Sequence, residues 1–386
     1  MDFSPVVLLR VLFLITLLMM GTVPTFSGEI DFSAVEELLE TAVEEKVFPG
    51  SIAAIGWGEG KLWVHSVGYF DYEQSHLVDS ETIYDLASLT KVVGTTATMM
   101  RLVAEEKLDV TLPVVHYLPE FSADSTGEER GWREELTVEQ LLRHRGGLAS
   151  WKPFYRSVDG YENLLKAVIE TPLEVRPGTR YRYSDLGFIL LGEIASRAGG
   201  ESLAELEKKL VFEPLRMEST LRNPAVDFVT NIPPTERDPD GEGFIHGIVH
   251  DENARAGGGV TGHAGLFSTA GDLALFAQEL LRAAKGESEY FSKEVYELFA
   301  ERRDDGSNRG LGWVLASGRG SSGSLLSQKA IGHTGFTGTS IWIDPEREIY
   351  LILLTNRVHP TRDNQKLGPF RAKFADAAVR ALQVER

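Results

Sequence analysis

Ser88-Leu89-Thr90-Lys91, set in the segment from Ile83 to Leu108, decides how this chain is read. A hydroxyl and an amine stand three residues apart. Behind them runs an apolar stretch of helix length containing Val92, Val93, Met99, Met100, Leu102 and Val103. If Ser88 opens that helix, Ser88 and Lys91 lie one above the other on the same face. A lone serine hydroxyl is a weak nucleophile at neutral pH, and a neighbouring neutral amine is able to take its proton. The positive end of the helix macrodipole and partial burial both push a lysine toward that neutral form. The same four residues also fit an ordinary helix start with a solvated lysine, because S-x-x-K is expected on the order of once in a chain this long. The rest of the chain has to choose between the two readings.

Toward the N-terminus, Ser51–Trp57 and Lys61–Gly68 read as a hairpin around Gly58-Glu59-Gly60. No G-x-x-x-x-G-K-[S/T] pattern is present, so those glycines make a turn and not a phosphate loop. Ser33 to Val47 carries Val35, Leu38, Leu39, Ala42 and Val43 at helical spacing, with Ser33 and Glu36 as a capping box and Pro49-Gly50 as the stop. Residues 1–27 read as a secretory signal peptide: Arg10 precedes the apolar run from Val11 to Met20, and small and polar residues lead to Ser27 and Gly28. That run is too short and too early for a comfortable membrane span. The expectation is an exported protein, periplasmic or extracellular, with an uncleaved leader as its only tie to a membrane.

Toward the C-terminus the chain turns mostly helical. Thr137–Arg145 (with Thr137 and Gln140 as a capping box), Glu162–Glu170, Leu186–Ala198, Ser202–Leu210 and Thr269–Ala284 all read as helices. Residues 221–262 are irregular and rich in proline and glycine. Then the period changes. Leu311–Ala316, Ile331–His333, Thr339–Asp344 and Glu348–Thr355 read as strands, and Gly368–Val384 as a closing amphipathic helix. Strands at both ends most simply form one sheet with the two terminal helices on one face. The fold class is therefore α+β: an antiparallel sheet flanked by helices, built from 28–90 and 305–386, with a mostly helical insertion at 91–304. The cleft between them is the expected place for a site.

Composition narrows the function. The 386 residues carry a formal net charge of -18 and no cysteine. The acidic balance argues against nucleic acid and against anionic membrane surfaces as partners. Without cysteine there is no disulfide, so stability must come from the core. His246, His250, Asp251, Glu252 and His263 raise a metal reading, but no H-E-x-x-H is present and a hydrogen-bonded loop is the commoner use of such residues. No G-x-S-x-G elbow of an α/β-hydrolase occurs either.

Two further stretches carry chemistry that fits the first. Tyr183-Ser184-Asp185 stands before a helix, and a phenol beside a lysine can carry protons. His333-Thr334-Gly335-Phe336 ends a tail strand, where glycine lets a substrate backbone lie close. The backbone N–H groups of Phe336 and Ser88 together would hold a developing oxyanion. Each also has a plain reading, a half-buried loop aromatic and a glycine-rich strand end.

In their order, S-L-T-K at 88–91, Y-S-D at 183–185 and H-T-G at 333–335, these motifs resemble the serine β-lactamase and penicillin-binding protein superfamily. The branch is that of class C β-lactamases with their D,D-peptidases and esterases. Leu141–Leu148, Pro177–Phe188 and Gly265–Asp272 are similar to phrases of the same family, and the 250–253 and 257–268 runs are similar to the penicillin-binding protein 4B group. The resemblance implies acyl transfer through Ser88, with Lys91 and Tyr183 sharing the proton work and Ser88 and Phe336 forming the oxyanion hole. It implies that Asp185, His333, Thr334 and Gly335 face the substrate, and that neither a metal nor an organic cofactor is needed. Two positions depart from the family pattern. Asp185 stands where many relatives have Asn, and it should favour the charged form of Lys91 and shift the base role toward Tyr183. His333 stands where β-lactamases usually have Lys, so its attraction for a substrate carboxylate should be weaker and should strengthen in mild acid. The leading expectation is a D,D-carboxypeptidase acting on cell-wall-type peptides. An esterase or a weak class C-like β-lactamase on the same scaffold, and a non-catalytic peptidoglycan-binding protein, are the alternatives.

Overall fold

The hairpin around Gly58-Glu59-Gly60 is present, with Gly50–Trp57 as β1 and Lys61–Gly68 as β2. The structure, a computed structural model, describes residues 30–239, 241–303 and 306–383. The leader reading of residues 1–27 lies outside the described residues. The remaining strands of the main sheet come from the tail: Val314–Leu315 (β3), Ile331–Thr334 (β4), Ser340–Asp344 (β5) and Ile349–Thr355 (β6). The sheet runs β2-β1-β6-β5-β4-β3 with every neighbour antiparallel, so the first and last strands in sequence pair inside it.

Strand alternation sorts the core into two layers. Ala53, Ile55, Trp342, Leu351 and Leu353 point to one side and pack with the helices Ser33–Glu44 (α1) and Leu367–Gln383 (α2), through Val35, Leu39, Phe370 and Phe374. Ile52, Ala54, Ile341, Ile343, Ile352 and Leu354 point to the other side and join the core shared with the helical region. Burying one such side chain contributes about 1.5–3 kcal/mol. The helix Ala270–Lys285 packs directly on this second face, against β1, β5 and β6, although it falls inside the stretch 91–304 that the sequence assigns to the helical insertion.

Two local expectations are corrected. Ser33 and Glu36 form no capping box; Phe32 is the N-cap, and Asp31 Oδ1 accepts the Ser33 N–H at 2.9 Å instead. The strand expected over Leu311–Ala316 shrinks to β3, because Gly310 and Gly312 turn the chain, with Gly310 N–H donating to Trp313 O at 3.0 Å. The Thr137–Gln140 capping box is present.

The nucleophile segment lies between the layers. Tyr84–Asp85 pairs with Leu266–Ser268. A 3-10 turn over Ala87–Leu89 then passes into a π-helical stretch, Lys91–Thr96, and into the α-helix Ala97–Ala104. The buried helix Asp185–Gly199 and the 257–265 loop close in beside it. They touch at Gly192 and Gly262, where a Cβ on Gly262 would overlap Phe188 O and come within 3.0 Å of Gly192 Cα. Gly262→Ala must therefore push the loop outward. We expect a stability loss of about 1–3 kcal/mol, read by thermal or urea melting, together with slower acylation, because the adjacent His263 carbonyl accepts a hydrogen bond from Lys91. A variant with unaltered stability and rate would contradict this packing.

Candidate active site

Side chains from two distant stretches meet at Ser88 Oγ. Lys91 Nζ donates to it at 3.0 Å and the Tyr183 hydroxyl donates to it at 3.0 Å. Lys91 Nζ also donates to His263 O at 2.8 Å and pairs with Asp185 Oδ1 at 2.8 Å. The ammonium group thus has two hydrogen-bond acceptors and a counter-charge, and the side chain is fully buried.

The local backbone explains the meeting. Ala87, just before the nucleophile, has a φ of 45°, in the left-handed region that costs a residue bearing a Cβ. Asp85 holds it there by accepting the Ala87 N–H at 2.8 Å. The π-helical turn that follows is a feature frequent at functional sites. Tyr183 is fixed by the helix start behind it. Ser184 Oγ accepts from Gly187 N–H at 3.2 Å and donates to Ala149 O at 2.7 Å, while Ser184 N–H donates to His144 Nδ1 at 3.1 Å.

The fourth wall is the turn after β4. Thr337 Oγ1 donates to Asp85 O at 2.7 Å and Thr339 Oγ1 donates to Leu86 O at 3.0 Å, which ties this turn to the backbone just before Ser88. Gly335 sits so close that a Cβ would overlap Leu86 O. Arg371 of α2 reaches under the turn and donates to Gly335 O and Thr339 O, both at 2.8 Å. Thr334 O accepts from, or lies against, His333 Nδ1 at 2.9 Å. Phe336 projects outward, 47% exposed, and with Trp151, Tyr183, Asp185 and Asp251 lines the cavity of about 350 Å3 that opens onto Ser88.

Electrostatics corrects two expectations. Burial works against the Lys91 charge, but Asp185 and Tyr183 outweigh it, and its pKa lies above the ordinary lysine value. The amine is not set free by burial and the macrodipole; the opposing expectation, that Asp185 favours the charged form, holds. Burial also raises the Tyr183 phenol, with Lys91 opposing, so it is neutral and donates to Ser88. His333 is buried with its ring 6.1 Å from that of Tyr183. Burial, then the charges of Arg309 and Lys91, hold its pKa well below the usual histidine value. It stays neutral through mild acid, so its attraction for a carboxylate does not strengthen there. His144, 4.5 Å from the Tyr183 ring, is depressed by the same causes in the same order.

A pH dependence follows. A histidine with a depressed folded pKa contributes stability that is present above its unfolded value of about 6.5 and is lost as pH falls below it. His144→Asn, whose side-chain oxygen can still accept from Ser184 N–H, should flatten the stability loss between about pH 6.5 and 5 by up to about 1.4 kcal/mol per pH unit. Melting curves across that range check it; an unchanged slope would mean that the ring is not held neutral.

The residues of the metal reading are engaged by hydrogen bonds. His246 Nε2 meets Ile232 O at 2.7 Å, His250 Nε2 meets Glu236 at 3.1 Å, His263 Nε2 meets Asp251 at 2.8 Å, and Glu252 pairs with Arg362 at 2.8 Å. Among the described residues no group of three or more His, Asp or Glu is placed to hold a metal ion. Sequence reasoning did not single out Asp85, His144, Arg309 or Arg371. Only His144 had a signal, since it lies inside the Leu141–Leu148 phrase.

A serine hydroxyl bonded by an amine and a phenol, beside a cavity, is the arrangement of a serine hydrolase that works through an acyl-enzyme. The chain belongs to the β-lactamase family: the family model described as Beta-lactamase matches residues 35–376. It is 34% identical over 341 residues, 80% of this chain and 76% of the relative, to a protein of Escherichia coli (strain K12) named "Putative D-alanyl-D-alanine carboxypeptidase". In fold it is similar to "EstCE1, a hydrolase with promiscuous acyltransferase activity", with a TM-score of 0.73 and 22% identity over 90% of this chain and 97% of that one. It is also similar to a class C β-lactamase from Rhodobacter sphaeroides, with a TM-score of 0.69 and 19% identity over 91% and 99%.

Proposed function

We propose that this protein is an exported D,D-carboxypeptidase that removes the terminal D-amino acid of cell-wall-type peptides through an acyl-enzyme on Ser88. The observation that carries the reading is the pair of 3.0 Å hydrogen bonds that Ser88 Oγ receives from Lys91 and Tyr183. Acylation proceeds from the form in which Lys91 has given a proton to solvent and is a neutral amine, a form that Asp185 makes scarcer. That amine takes the Ser88 proton as Oγ adds to the peptide carbonyl carbon. The carbonyl oxygen, now negative, is held by the backbone N–H groups of Ser88 and Phe336. Tyr183 gives its phenolic proton to the departing nitrogen and is refilled from Lys91, which is thereby left neutral for the second half of the cycle. Water releases the acyl group by the same steps reversed. Thr334, Gly335 and His333 form the wall along which the substrate backbone lies. The name of the E. coli relative supports the substrate class, and the leader-like residues 1–27 support export.

Intact-protein mass spectrometry with β-lactams, D-Ala-D-Ala peptides and short p-nitrophenyl esters tests the reading. We expect a stoichiometric acyl adduct with penicillins and release of D-alanine from the peptides. No adduct from any of the three classes would refute the acyl-serine mechanism. A second reading, an esterase, draws on the neutral His333 and the anionic Asp185, which both weaken attraction for a carboxylate. Rapid ester cleavage with no D-alanine release would establish it.

A further inference from the structure

His250-Asp251-Glu252-Asn253 borders the Ser88 cavity, yet none of the four takes part in the proton transfers at Ser88. The segment grips the parts that do. His250 N–H donates to Asp85 Oδ2 at 2.7 Å, and the other oxygen of Asp85 holds the strained Ala87 just before the nucleophile. Asn253 accepts from Tyr155 N–H at 3.0 Å and donates to Lys152 O at 2.8 Å, which fixes the loop behind Trp151. Asp251 reaches the lysine. Its Oδ1 accepts from Ala254 N–H and from His263 Nε2, both at 2.8 Å. Burial opposes the Asp251 charge, but the His263 ring and the Ala254 N–H outweigh it, so the carboxyl lies well below the usual carboxylate range and only accepts. The buried His263 ring is held at its second nitrogen too, with Nδ1 2.9 Å from Thr261 Oγ1.

The backbone carbonyl of this same His263 accepts from Lys91 Nζ. Thr95 Oγ1 donates to Gly262 O at 2.8 Å and Leu266 N–H donates to Thr90 Oγ1 at 3.1 Å, so the loop is tied to the nucleophile segment on either side of residue 263. Between those ties, the direction of the His263 carbonyl follows from where its ring is pinned. The direction matters because Lys91 Nζ is aimed at Ser88 Oγ by its other two partners, His263 O and Asp185. A base turned aside by a fraction of an ångström loses its line to the proton. We propose that Asp251 is a positioning residue for acylation: through the His263 ring it sets the carbonyl that aims Lys91 at Ser88. The inference rests on the acyl-serine reading and adds to it a carboxylate that acts through a second side chain.

Substitutions in the full chain separate this role from capping of the short Glu252–Ala256 helix. Asp251→Asn keeps an oxygen for both donors. Asp251→Ser still caps the helix, but its hydroxyl is too short to reach the ring. His263→Phe keeps the bulk of the ring without its nitrogens. Stopped-flow labelling with a fluorescent penicillin gives the acylation rate constant at saturation and, separately, the dissociation constant of the complex that precedes it. We expect Asp251→Ser and His263→Phe each to lower the rate constant on the order of 10- to 100-fold with little change in the dissociation constant. Asp251→Asn should recover most of that loss, and Asp251→Ser combined with His263→Phe should be no slower than the slower single variant. If His263→Phe fails to fold, the serine and asparagine variants decide alone. A wild-type rate in Asp251→Ser, equal losses in the serine and asparagine variants, a loss confined to the dissociation constant, or losses that multiply in the double variant would each overturn the proposal. Failure of the acyl-serine reading shows separately, as a wild-type chain that takes no label, and it would remove this role of Asp251 with it.

Discussion

Ser88→Ala is expected to fold normally, to form no covalent adduct with a fluorescent penicillin, and to lose turnover on the order of 10^4-fold or more. The folding half of this expectation comes from what Ser88 touches. Its oxygen accepts from Lys91 and Tyr183, yet Lys91 keeps Asp185 and His263 O as partners. The loss is one acceptor shared by two donors, about 1 kcal/mol. The chemical half is larger because no other hydroxyl at the site has both an amine and a phenol upon it. Gel labelling and melting curves on one preparation decide it. An adduct of wild-type yield on the alanine variant would move the nucleophile elsewhere.

The second large effect separates scaffold from base. Lys91→Met leaves the Asp185 carboxylate without its counter-charge and the His263 carbonyl without its donor. Breaking a buried pair from one side costs about 3–5 kcal/mol, and losing a proton-transfer group costs on the order of 10^2- to 10^4-fold in acylation. Adding Asp185→Asn removes the stranded charge, so the double variant should regain most of the stability and none of the rate. If rate returned together with stability, Lys91 would be a strut only. Asp185→Asn alone has an opposite sign. Asp185 is the charge that lifts the Lys91 pKa. With it gone burial prevails, the amine loses its proton at lower pH, and the rising limb of the acylation profile should shift to lower pH. The stability that Lys91 draws from Asp185 is present below the unfolded lysine value of about 10.4 and is lost only as pH rises through the higher folded value.

What could be read in advance was governed by short range. The Ser88–Lys91 register follows from helix geometry over three residues, and the Thr137 capping box and the β1–β2 hairpin from equally local rules. Y-S-D and H-T-G were legible because their order matched a known pattern, not because anything local showed that Tyr183 meets Ser88. Arg371 and Arg309 stayed silent for the opposite reason. Each acts through backbone carbonyls or ring faces of residues far away in the chain, and an arginine flanked by unremarkable neighbours carries no mark of that. The Ala270–Lys285 helix was placed with the wrong layer for a related cause: its amphipathic face shows that it packs, but not on what. The pKa of Lys91 was legible only as a contest between burial and Asp185, and a 2.8 Å distance was needed to name the winner.

The pairing of β1 with β6 sets a timetable for synthesis. Ser88, Lys91 and Tyr183 leave the ribosome early, but residues 51–57 wait for 349–355 before β1 has its second neighbour. Thr337, Thr339 and Arg371, which brace the backbone beside the nucleophile, arrive in the same late stretch. A nascent chain therefore carries its reactive hydroxyl long before it can use it, and a chain stopped before Ile331 should take up no penicillin label. Competence therefore waits on the segment from 331 to 371, more than 240 residues behind the nucleophile it braces.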